Sequence, residues 1–395
     1  MAIFQPEVET LPRPELEGLQ RERLRERFGI ELEALAEQPF RVKSDLRDAY
    51  PFRLLQVPLE ECVRVHASSG TRGKPTVVAY TRADLDAWAD CCARALAAAG
   101  AGPGTVVHNA YGYGLFTGGL GLHYGAERLG CTVVPVSGGN TPRQAQLLEH
   151  LAAGILCCTP SYALAIADHV PDAARLAVHA GLFGAEPWTD GLREAIEGAL
   201  HLTALDIYGL SEVMGPGVSA ECAEARDGAH VNEDHFLVEV VDPAVGEPLP
   251  DGEVGELVFT TLTKEALPLL RYRTGDLASL TREPCVCGRT FVRMSRVLGR
   301  TDDMLIIRGV NVFPSEIERA LLAIPRLAPH YQLVVERPGH LDELTVQVEG
   351  AADSEAVRRQ LHGVLGLTAR VEVLPAGSVP RSEGKALRVL DRRGT

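Results

Sequence analysis

The sequence predicts an α/β and α+β protein with a large N-terminal domain and a small C-terminal domain. A chain of 395 residues is too long for one ordinary hydrophobic core. From residue 80 to residue 210, helical and strand patterns alternate, which is typical of parallel sheet layers covered by helices. After residue 235, successive strand patterns indicate a β-rich subdomain. The predicted domains are residues 1–300 and 301–395.

The first fifty residues are charged and prone to form helices, as in LQRERLRERFGIELEALAEQ. In the alternating region, the predicted helices are ADLDAWADCCARALAAAG, a glycine-rich stretch, TPRQAQLLEHLAA and LREAIEGAL. The predicted strands there are TVVHN, CTVVPV, GILCCT, LAVHAGLFG and TALDIYG. The β-rich region contributes HFLVEVVDP, GEVGELVFTTL and the region around CVCGRTFVRM. This order predicts a sheet assembled from successive strand and helix units.

The last hundred residues form the predicted C-terminal domain. Its strands are DMLIIRG, YQLVVER, ELTVQVEG and RVEVLP, and its helices are PSEIERALLAI and DSEAVRRQLHGVL. Pro314 stands before an acidic first turn, which is a good helix start. About a hundred residues is an ordinary size for an independent domain.

Composition limits the classes of partner. The net charge of −14 disfavours broad nucleic-acid binding, which requires basic surface to replace phosphate counterions. No apolar run is long enough to span a bilayer, and the N-terminus lacks the basic and then apolar pattern of a signal peptide. We therefore expect a cytoplasmic protein that binds neither nucleic acid nor membrane. Nine cysteines in a reducing compartment argue against a disulfide framework.

The first chemical signal is the glycine-rich segment HASSGTRGKPT, residues 66–76. Its glycines allow backbone N–H groups to converge, its serines and threonine add hydroxyls, and Lys74 adds a cation. Such a loop suits a polyphosphate. It is not a Walker A motif, because that motif continues into a helix whereas Pro75 follows the lysine here. By composition alone, a polar surface loop is an equal alternative.

Eight segments, in order, resemble the phenylacetate-CoA ligase family within the adenylate-forming superfamily of acyl-CoA synthetases, adenylation domains and luciferases. They are HASSGTRGKPTVV, HNAYGYGLFTGGLGLHYGAERLG, PVSGGNTPRQ, GLFGAEPW, YGLSEVMGPGVSAEC, LPLLRYRTGDLASL, GRTDDMLIIRGVNVFPSEIE and PRSEGKALRVLDRR. The resemblance implies an adenylate-forming N-terminal domain, a mobile C-terminal domain and a homodimer. It implies that ATP and Mg²⁺ activate a small carboxylic acid as its acyl-adenylate, and that CoA then accepts the acyl group.

The resemblance also assigns roles to residues. Glu212 would bind Mg²⁺, a hard cation that prefers oxygen ligands. Asp276 would accept hydrogen bonds from both ribose hydroxyls, although Thr-Gly-Asp is also good turn chemistry. Tyr208 would stack on the adenine, although an isolated tyrosine is more often a core aromatic. The residues implied for ATP or AMP are Ser68, Ser69, Gly70, Thr71, Gly73, Lys74, Gly184, Ala185, Glu186, Pro187, Asp206, Tyr208, Gly209, Ser211, Asp276 and Arg300.

The implied C-terminal domain supplies catalysis and movement. Lys385 would bridge the substrate carboxylate and the α-phosphate, although a lysine is usually a solvated surface residue. Asp302 would be the hinge about which the domain rotates after adenylation. The rotated face, including Arg308 and Gly309, would line a channel for the CoA thiol. The implied catalytic residues are Lys385 and Glu212.

The implied acyl pocket is aromatic. Aromatic walls with glycine floors suit a flat ring, so an aromatic or arylacetic acid is the expected substrate class. The alternative is that the aromatic side chains pack in the core and the glycines form turns. The pocket residues are Tyr111, Tyr113, Phe116, Gly138, Gly139 and Pro216.

Four residues could hold a structural metal ion. Cys222 precedes His230, and Cys285 and Cys287 follow about sixty residues after Cys222. Three thiols and one imidazole are a ligand set suited to structural Zn²⁺. The Cys-x-Cys spacing is tighter than in common zinc knuckles, and unconnected cysteines with a polar histidine are the alternative.

The chain also departs from the family. Arg72 stands where the family usually has threonine, and we expect it to reach solvent. The N-terminal helical region and the stretch after Tyr162 are shorter than in typical relatives. The acyl-adenylate could instead pass to a carrier-protein thiol or to an amine, because both acceptors share the first half-reaction. A catalytically inactive nucleotide-binding protein is a further alternative, against which the presence of Glu212, Asp276 and Lys385 argues.

Overall fold

The computed structural model describes residues 3–68, 75–301, 303–308, 310–338, 341–382 and 386–393. Its α-helices are α1 Pro6–Glu9, α2 Arg13–Phe28, α3 Lys43–Asp48, α4 Arg82–Ala98, α5 Gly118–Arg128, α6 Thr141–His150, α7 Pro160–Ala167, α8 Asp190–Leu200, α9 Pro314–Leu322 and α10 Ser354–Leu365. Short 3₁₀ helices lie at Leu32–Ala34, Leu59–Glu61 and Ala173–Arg175. The helix-prone N-terminal segment is therefore only partly α-helical.

The strands follow the same order as the predicted pattern. The first group is β1 Arg64–Ala67, β2 Val77–Tyr80, β3 Val106–Asn109, β4 Thr132–Val134, β5 Ile155–Cys158, β6 Ala180–Gly184, β7 Thr203–Leu210, β8 Gly215–Ala220, β9 Ala229–Val231, β10 Phe236–Val241 and β11 Gly255–Thr261. The second is β12 Tyr272–Ala278, β13 Leu280–Thr281, β14 Arg293–Met294, β15 Gly299–Arg300, β16 Leu305–Ile307, β17 Val310–Val312, β18 Leu327–Glu336, β19 Glu343–Gly350, β20 Arg370–Leu374 and β21 Val389–Asp391.

The largest sheet has nine strands in the order β13-β14-β9-β8-β7-β6-β5-β3-β4. Strands β4, β3, β5, β6 and β7 are parallel, as the alternating pattern predicts. From β7 onward the pairing becomes antiparallel. Successive residues of β5 face opposite sides: Leu156 and Cys158 pack under α6, α7 and α8, whereas Ile155 and Cys157 pack under α4 and α5. The sheet is therefore buried on both faces, which explains its nearly continuous apolar strands.

The β-rich region forms a second sheet of four antiparallel strands in the order β10-β11-β12-β15. Its apolar face shares a core with α4 and the β7–β8 hairpin. A buried Asp84 joins these parts: its carboxylate accepts the backbone N–H groups of Thr81, Glu265 and Ala266 at 2.9, 2.6 and 3.0 Å. This capping box therefore starts α4 and also holds the loop after β11.

The C-terminal domain has its own core, built from β16–β21, α9 and α10. Its four-stranded sheet has the order β20-β19-β18-β21, with an antiparallel central pair and parallel outer strands. The predicted mixed α/β fold with a separate C-terminal domain is confirmed. Among the helices that the structure describes, none is long and apolar enough to cross a membrane.

Candidate active site

Several predicted residues fall where the structure does not describe the chain. These are Ser69, Gly70, Thr71, Arg72, Gly73, Lys74, Asp302, Gly309 and Lys385, which all lie outside the described residues. The ends of the glycine-rich loop are described. Antiparallel pairing of β1 with β2 brings them together, and Ser68 N donates to Thr76 O at 2.9 Å. The hydroxyl oxygens of both residues are buried and have no partner within the described ranges, which fits residues that hydrogen-bond a phosphate.

Tyr208, Asp276 and Arg300 form one polar network at the junction of the two N-terminal sheets. Tyr208 Oη donates to Asp276 Oδ2 at 2.7 Å, and Arg300 pairs with the other carboxylate oxygen. Cross-strand pairing of Asp276 with Arg300 fixes this arrangement. One face of the Tyr208 ring stacks on Phe259 at a centroid distance of 6.0 Å. Burial raises the pKa of Tyr208 well above its usual value, so its hydroxyl remains a donor.

Tyr208 and Gly209 belong to β7, in agreement with the predicted strand TALDIYG. β7 continues past its parallel partner and pairs with β8 through a bulge after Tyr208. Gly209 is required at this crossing, because a Cβ there would lie 1.8 Å from Gly215 O. The next residues, Ser211 and Glu212, occupy the hairpin turn. Ser211 Oγ lies 3.0 Å from Thr117 Oγ1, which ties the turn to the start of α5.

Glu212 is almost fully buried, and two lysines accompany it. Lys43 Nζ forms an ion pair with Glu212 Oε1 at 3.1 Å. Lys264 is completely buried and donates to Glu212 O at 2.9 Å and Val213 O at 3.0 Å. Burial lowers the pKa of Lys264 to about 8. The Glu212 carboxylate is an oxygen ligand of the kind that Mg²⁺ bound to a polyphosphate prefers.

The segment Gly184–Pro187 leaves the carboxyl end of β6 and reaches the C-terminal domain. Glu186 Oε1 accepts the backbone N–H of Ser161, and Oε2 accepts that of Ala386, both at 2.7 Å. Ala185 has a φ of 72°, so the chain turns sharply before Glu186. A cavity of about 360 Å³ adjoins this bridge, between the two domains. Its lining includes Glu186, Pro187, Arg300, Glu318, Tyr331 and Arg388.

Asp206 lies on β7 two residues before Tyr208 and has different hydrogen-bond partners. Its backbone N–H donates to Glu221 Oε2 at 2.8 Å, and Glu221 in turn pairs with Arg193 at 2.8 Å. Burial and the neighbouring Glu221 carboxylate raise the pKa of Asp206. The role of Asp206 in nucleotide binding stays a prediction, as do those of the other site residues.

The predicted acyl-pocket residues differ in their environments. Tyr111 is buried in the core that also contains Phe116 and Ala185. Tyr113 accepts a hydrogen bond from Asn109 Nδ2 at 2.8 Å, and its Oη lies 3.3 Å from His123 Nδ1.

The remaining pocket residues lie in loops and at a strand start. Gly138 is exposed, and Gly139 has a φ of 96° and exchanges hydrogen bonds with Tyr162 Oη. Pro216 O accepts the Trp88 indole N–H at 2.9 Å. Part of the set thus packs in the core, and part lies in loops where a ligand could reach it.

Arg308, assigned to the CoA channel, is exposed and donates to Asp342 O at 2.7 Å. Both partners of this hydrogen bond belong to the C-terminal domain. The four candidate zinc ligands, Cys222, His230, Cys285 and Cys287, do come together, with ligand atoms all within 4.8 Å of one another.

Sequence reasoning missed several residues that contact this site. Lys43, Lys264, Thr117 and Glu318 reach it from α3, the loop after β11, the start of α5, and α9. Thr117 and Glu318 lie within segments that carry the family resemblance, but no role was assigned to them there, whereas Lys43 and Lys264 lie outside those segments. Lys264 stands between Thr263 and Glu265, so its neighbours in the sequence gave no sign that the folded chain buries it.

Family models match both parts of the chain. Residues 68–262 match the AMP-binding enzyme model, and residues 309–393 match the AMP-binding enzyme C-terminal domain model. The phenylacetate-coenzyme A ligase of Thermus thermophilus is 52% identical over 443 aligned positions, covering 99% of this chain and 100% of the relative. Because this chain has 395 residues, the relative contains segments that it lacks. The Escherichia coli phenylacetate-coenzyme A ligase is 53% identical over 92% of this chain and 86% of the relative.

Solved structures show the same architecture. A 2-hydroxyisobutyryl-CoA ligase in the postadenylation state, in complex with 2-HIB-AMP, superposes with a TM-score of 0.87 at 30% identity. The same enzyme in the thioesterification state, with 2-HIB-AMP and CoA, gives a TM-score of 0.70. Both comparisons cover 98% of this chain and 92% of the other. The domain arrangement seen here is thus closer to the postadenylation state. The match to the AMP-binding enzyme model and the identity of 52% and 53% to relatives that cover nearly the whole chain establish the family. The chain belongs to the phenylacetate-coenzyme A ligase family of adenylate-forming acid–thiol ligases.

Proposed function

We propose that this protein activates an aromatic or arylacetic acid with ATP and transfers the acyl group to CoA. The observation that carries the proposal is the Glu186 bridge. It brings the β6 exit of the N-terminal domain against Ala386 of the C-terminal domain, beside the network of Tyr208, Asp276 and Arg300. Relatives 52% and 53% identical are phenylacetate-coenzyme A ligases, which supports this acid class and this acceptor.

In the first half-reaction, a carboxylate oxygen of the acid attacks the α-phosphorus of ATP, and pyrophosphate leaves. Asp276 would hold the ribose hydroxyls, and the glycine-rich loop with Ser68 would hold the outer phosphates. Glu212 would hold Mg²⁺, which when bound neutralises the charge that develops on the phosphate oxygens. Lys385 would bridge the carboxylate and the α-phosphate. Catalysis here is chiefly positioning and charge neutralisation.

In the second half-reaction, the CoA thiol loses its proton and attacks the acyl carbon, the acyl–phosphate bond breaks, and AMP leaves. We propose that the C-terminal domain, residues 301–395, rotates about Asp302 between the two steps. Rotation would withdraw Lys385 and bring Arg308 and Gly309 to the thiol channel. The two states of the 2-hydroxyisobutyryl-CoA ligase support such a movement.

The substrate class rests on the aromatic residues around Tyr113, whose hydroxyl is already satisfied by Asn109 and His123. Its ring is therefore available for packing rather than for polar recognition, which favours an aryl group. A carrier-protein thiol or an amine is the alternative acceptor. Transfer to CoA, to a carrier protein or to an amine would begin with the same adenylation step and the same residues. A cytoplasmic location and a homodimer also stay predictions.

One assay tests the proposal. Pyrophosphate release is measured with phenylacetate, benzoate and a long-chain fatty acid, each with CoA, a phosphopantetheinyl carrier protein or an amine. We expect release with the aryl acids and turnover with CoA. Lys385→Ala should abolish pyrophosphate exchange and spare thiolysis of supplied acyl-adenylate. No acid-dependent release would contradict adenylation, and turnover only with another acceptor would contradict the CoA assignment.

The cluster of Cys222, His230, Cys285 and Cys287 is the place proposed for structural zinc. None of its residues belongs to the groups assigned to ATP, acid or CoA. The reaction scheme therefore does not depend on it.

A further inference from the structure

A cluster of metal-ligating side chains lies at the antiparallel edge of the nine-stranded sheet. Cys222 follows β8, His230 lies in β9, and Cys285 and Cys287 lie in the turn between β13 and β14. We infer that these four residues bind one Zn²⁺ ion, which fastens the β13–β14 turn to the sheet edge. The ion has a structural role and is separate from ligase chemistry.

Two of the distances between ligand atoms match those of a tetrahedral zinc site. Zn–S bonds of about 2.3 Å place two sulfurs about 3.8 Å apart, and a Zn–N bond of about 2.0 Å places nitrogen and sulfur about 3.5 Å apart. Cys222 Sγ and Cys285 Sγ are 3.7 Å apart, and Cys287 Sγ lies 3.4 Å from His230 Nε2. All nine cysteines are free, so disulfide bonds do not explain the arrangement.

The surroundings suit thiolate ligands. Cys222, Cys287 and His230 are buried, and Cys285 is half-buried. The sulfurs of Cys222, Cys285 and Cys287 face backbone N–H groups from residues 225, 287 and 289. Such N–H donors orient the ligands and stabilise their charge.

The charge of the site is also compensated. Three thiolates and a neutral imidazole around Zn²⁺ leave one net negative charge. The Arg289 guanidinium lies beside Cys287 and also pairs with Glu9 at 2.7 Å, deep in the structure. The cluster is thus connected through Arg289 to α1, which contains Glu9.

The local fold explains why a metal is useful here. β13 and β14 each have only two residues, so their pairing provides few backbone hydrogen bonds. The turn between them contains Pro284 and Gly288, neither of which favours regular structure. A closed four-ligand site supplies the missing cross-links between β8, β9 and this turn. Four protein ligands leave no open position for a substrate, which is the arrangement of structural zinc sites.

Metal analysis of the full-length protein, purified without chelators, tests the inference. We expect about one zinc ion per chain, and thiolate-to-metal absorption bands after replacement by Co²⁺. Cys285→Ser should lower zinc content about tenfold, because it removes one ligand at a half-buried position. Cys62→Ser is the matched control, since Cys62 is also half-buried but lies outside the cluster; it should retain zinc.

A stability measurement distinguishes a metal site from a folding defect. A chelator should lower the melting temperature of the wild-type protein and of Cys62→Ser, and leave that of Cys285→Ser unchanged. The inference is overturned if the wild-type protein holds no zinc and the cluster thiols react freely with a thiol reagent. It is also overturned if Cys285→Ser and the wild-type protein hold equal zinc.

Discussion

Glu318 of the C-terminal domain accepts a hydrogen bond from Thr189 Oγ1 of the N-terminal domain at 2.9 Å. The same carboxylate oxygen accepts the Thr189 backbone N–H at 3.2 Å, and the other oxygen accepts the Tyr331 hydroxyl at 3.0 Å. Burial raises the pKa of Glu318. This contact between α9 and the cap of α8 belongs to the domain arrangement that resembles the postadenylation state. It is therefore positioned to stabilise one of the two domain arrangements that we propose for the reaction.

We predict that Glu318→Ala slows adenylation about tenfold and affects thiolysis of supplied acyl-adenylate much less. The substitution leaves the buried Thr189 N–H and hydroxyl without their acceptor, which costs about 1–3 kcal/mol in this arrangement only. Pyrophosphate exchange and single-turnover thiolysis measure the two steps. Glu336→Gln, which replaces an exposed carboxylate of the same domain, should change neither. Equal losses in both steps would show that Glu318 serves general stability instead.

We predict that Asp276→Asn lowers kcat/KM for ATP about a hundredfold, mainly through KM. The carboxylate accepts from Tyr208 and Arg300 at once, and an amide cannot replace its charge or both of its acceptor oxygens. Initial rates at varied ATP concentrations provide the measurement. Asp251→Asn, at an exposed ion pair with Arg282, is the control and should behave as wild type. An unchanged KM for ATP would remove Asp276 from the nucleotide site.

We predict that His235 makes the protein sensitive to acid. Burial lowers the pKa of His235 from 6.5 to about 4, although the nearby Asp234 opposes this shift. Between these values the unfolded chain binds the proton and the folded chain does not, so stability falls as the pH falls through this window. Between about pH 7 and about pH 5, protonation of His235 in the unfolded chain therefore lowers the free energy of unfolding by about 2 kcal/mol.

Denaturant unfolding at the two pH values tests the role of His235. In His235→Gln, the difference in unfolding free energy between them should be about 2 kcal/mol smaller than in the wild-type protein. His150→Gln, at the exposed end of α6, is the control and should keep the wild-type difference. The assignment is wrong if His235→Gln retains the full difference.

The elements with strong periodicity were predictable from sequence. The parallel strands β3 to β7 and the helices between them occur where apolar and amphipathic patterns predict them, because both faces of that sheet are buried. The hairpin that follows Tyr208 was less predictable. The pattern does not show that β7 continues beyond its parallel partner and turns into a hairpin with β8.

Contacts between distant segments could not be predicted. Thr189 and Glu318 are 129 residues apart, and Lys264 reaches back 52 residues to Glu212. Such pairs depend on how the sheets and domains pack, and no local spacing encodes them. The cysteine cluster is an intermediate case: the ligand types suggested a metal, and the antiparallel edge strands supply the proximity that the Cys-x-Cys spacing left uncertain.

The ion pair between Lys43 and Glu212 has a consequence for metal selection. In this arrangement the carboxylate already has a cationic partner, tethered to the chain at 3.1 Å. A divalent ion would therefore have to compete with the Lys43 ammonium group, which the chain holds at high effective concentration. The net free energy of metal binding is then the free energy of the metal–Glu212 pair minus that of the Lys43–Glu212 pair. A metal that arrives bound to ATP brings phosphate oxygens, which can form an ion pair with the displaced Lys43 ammonium group. Entry of free metal is thereby disfavoured relative to entry of the metal–nucleotide complex.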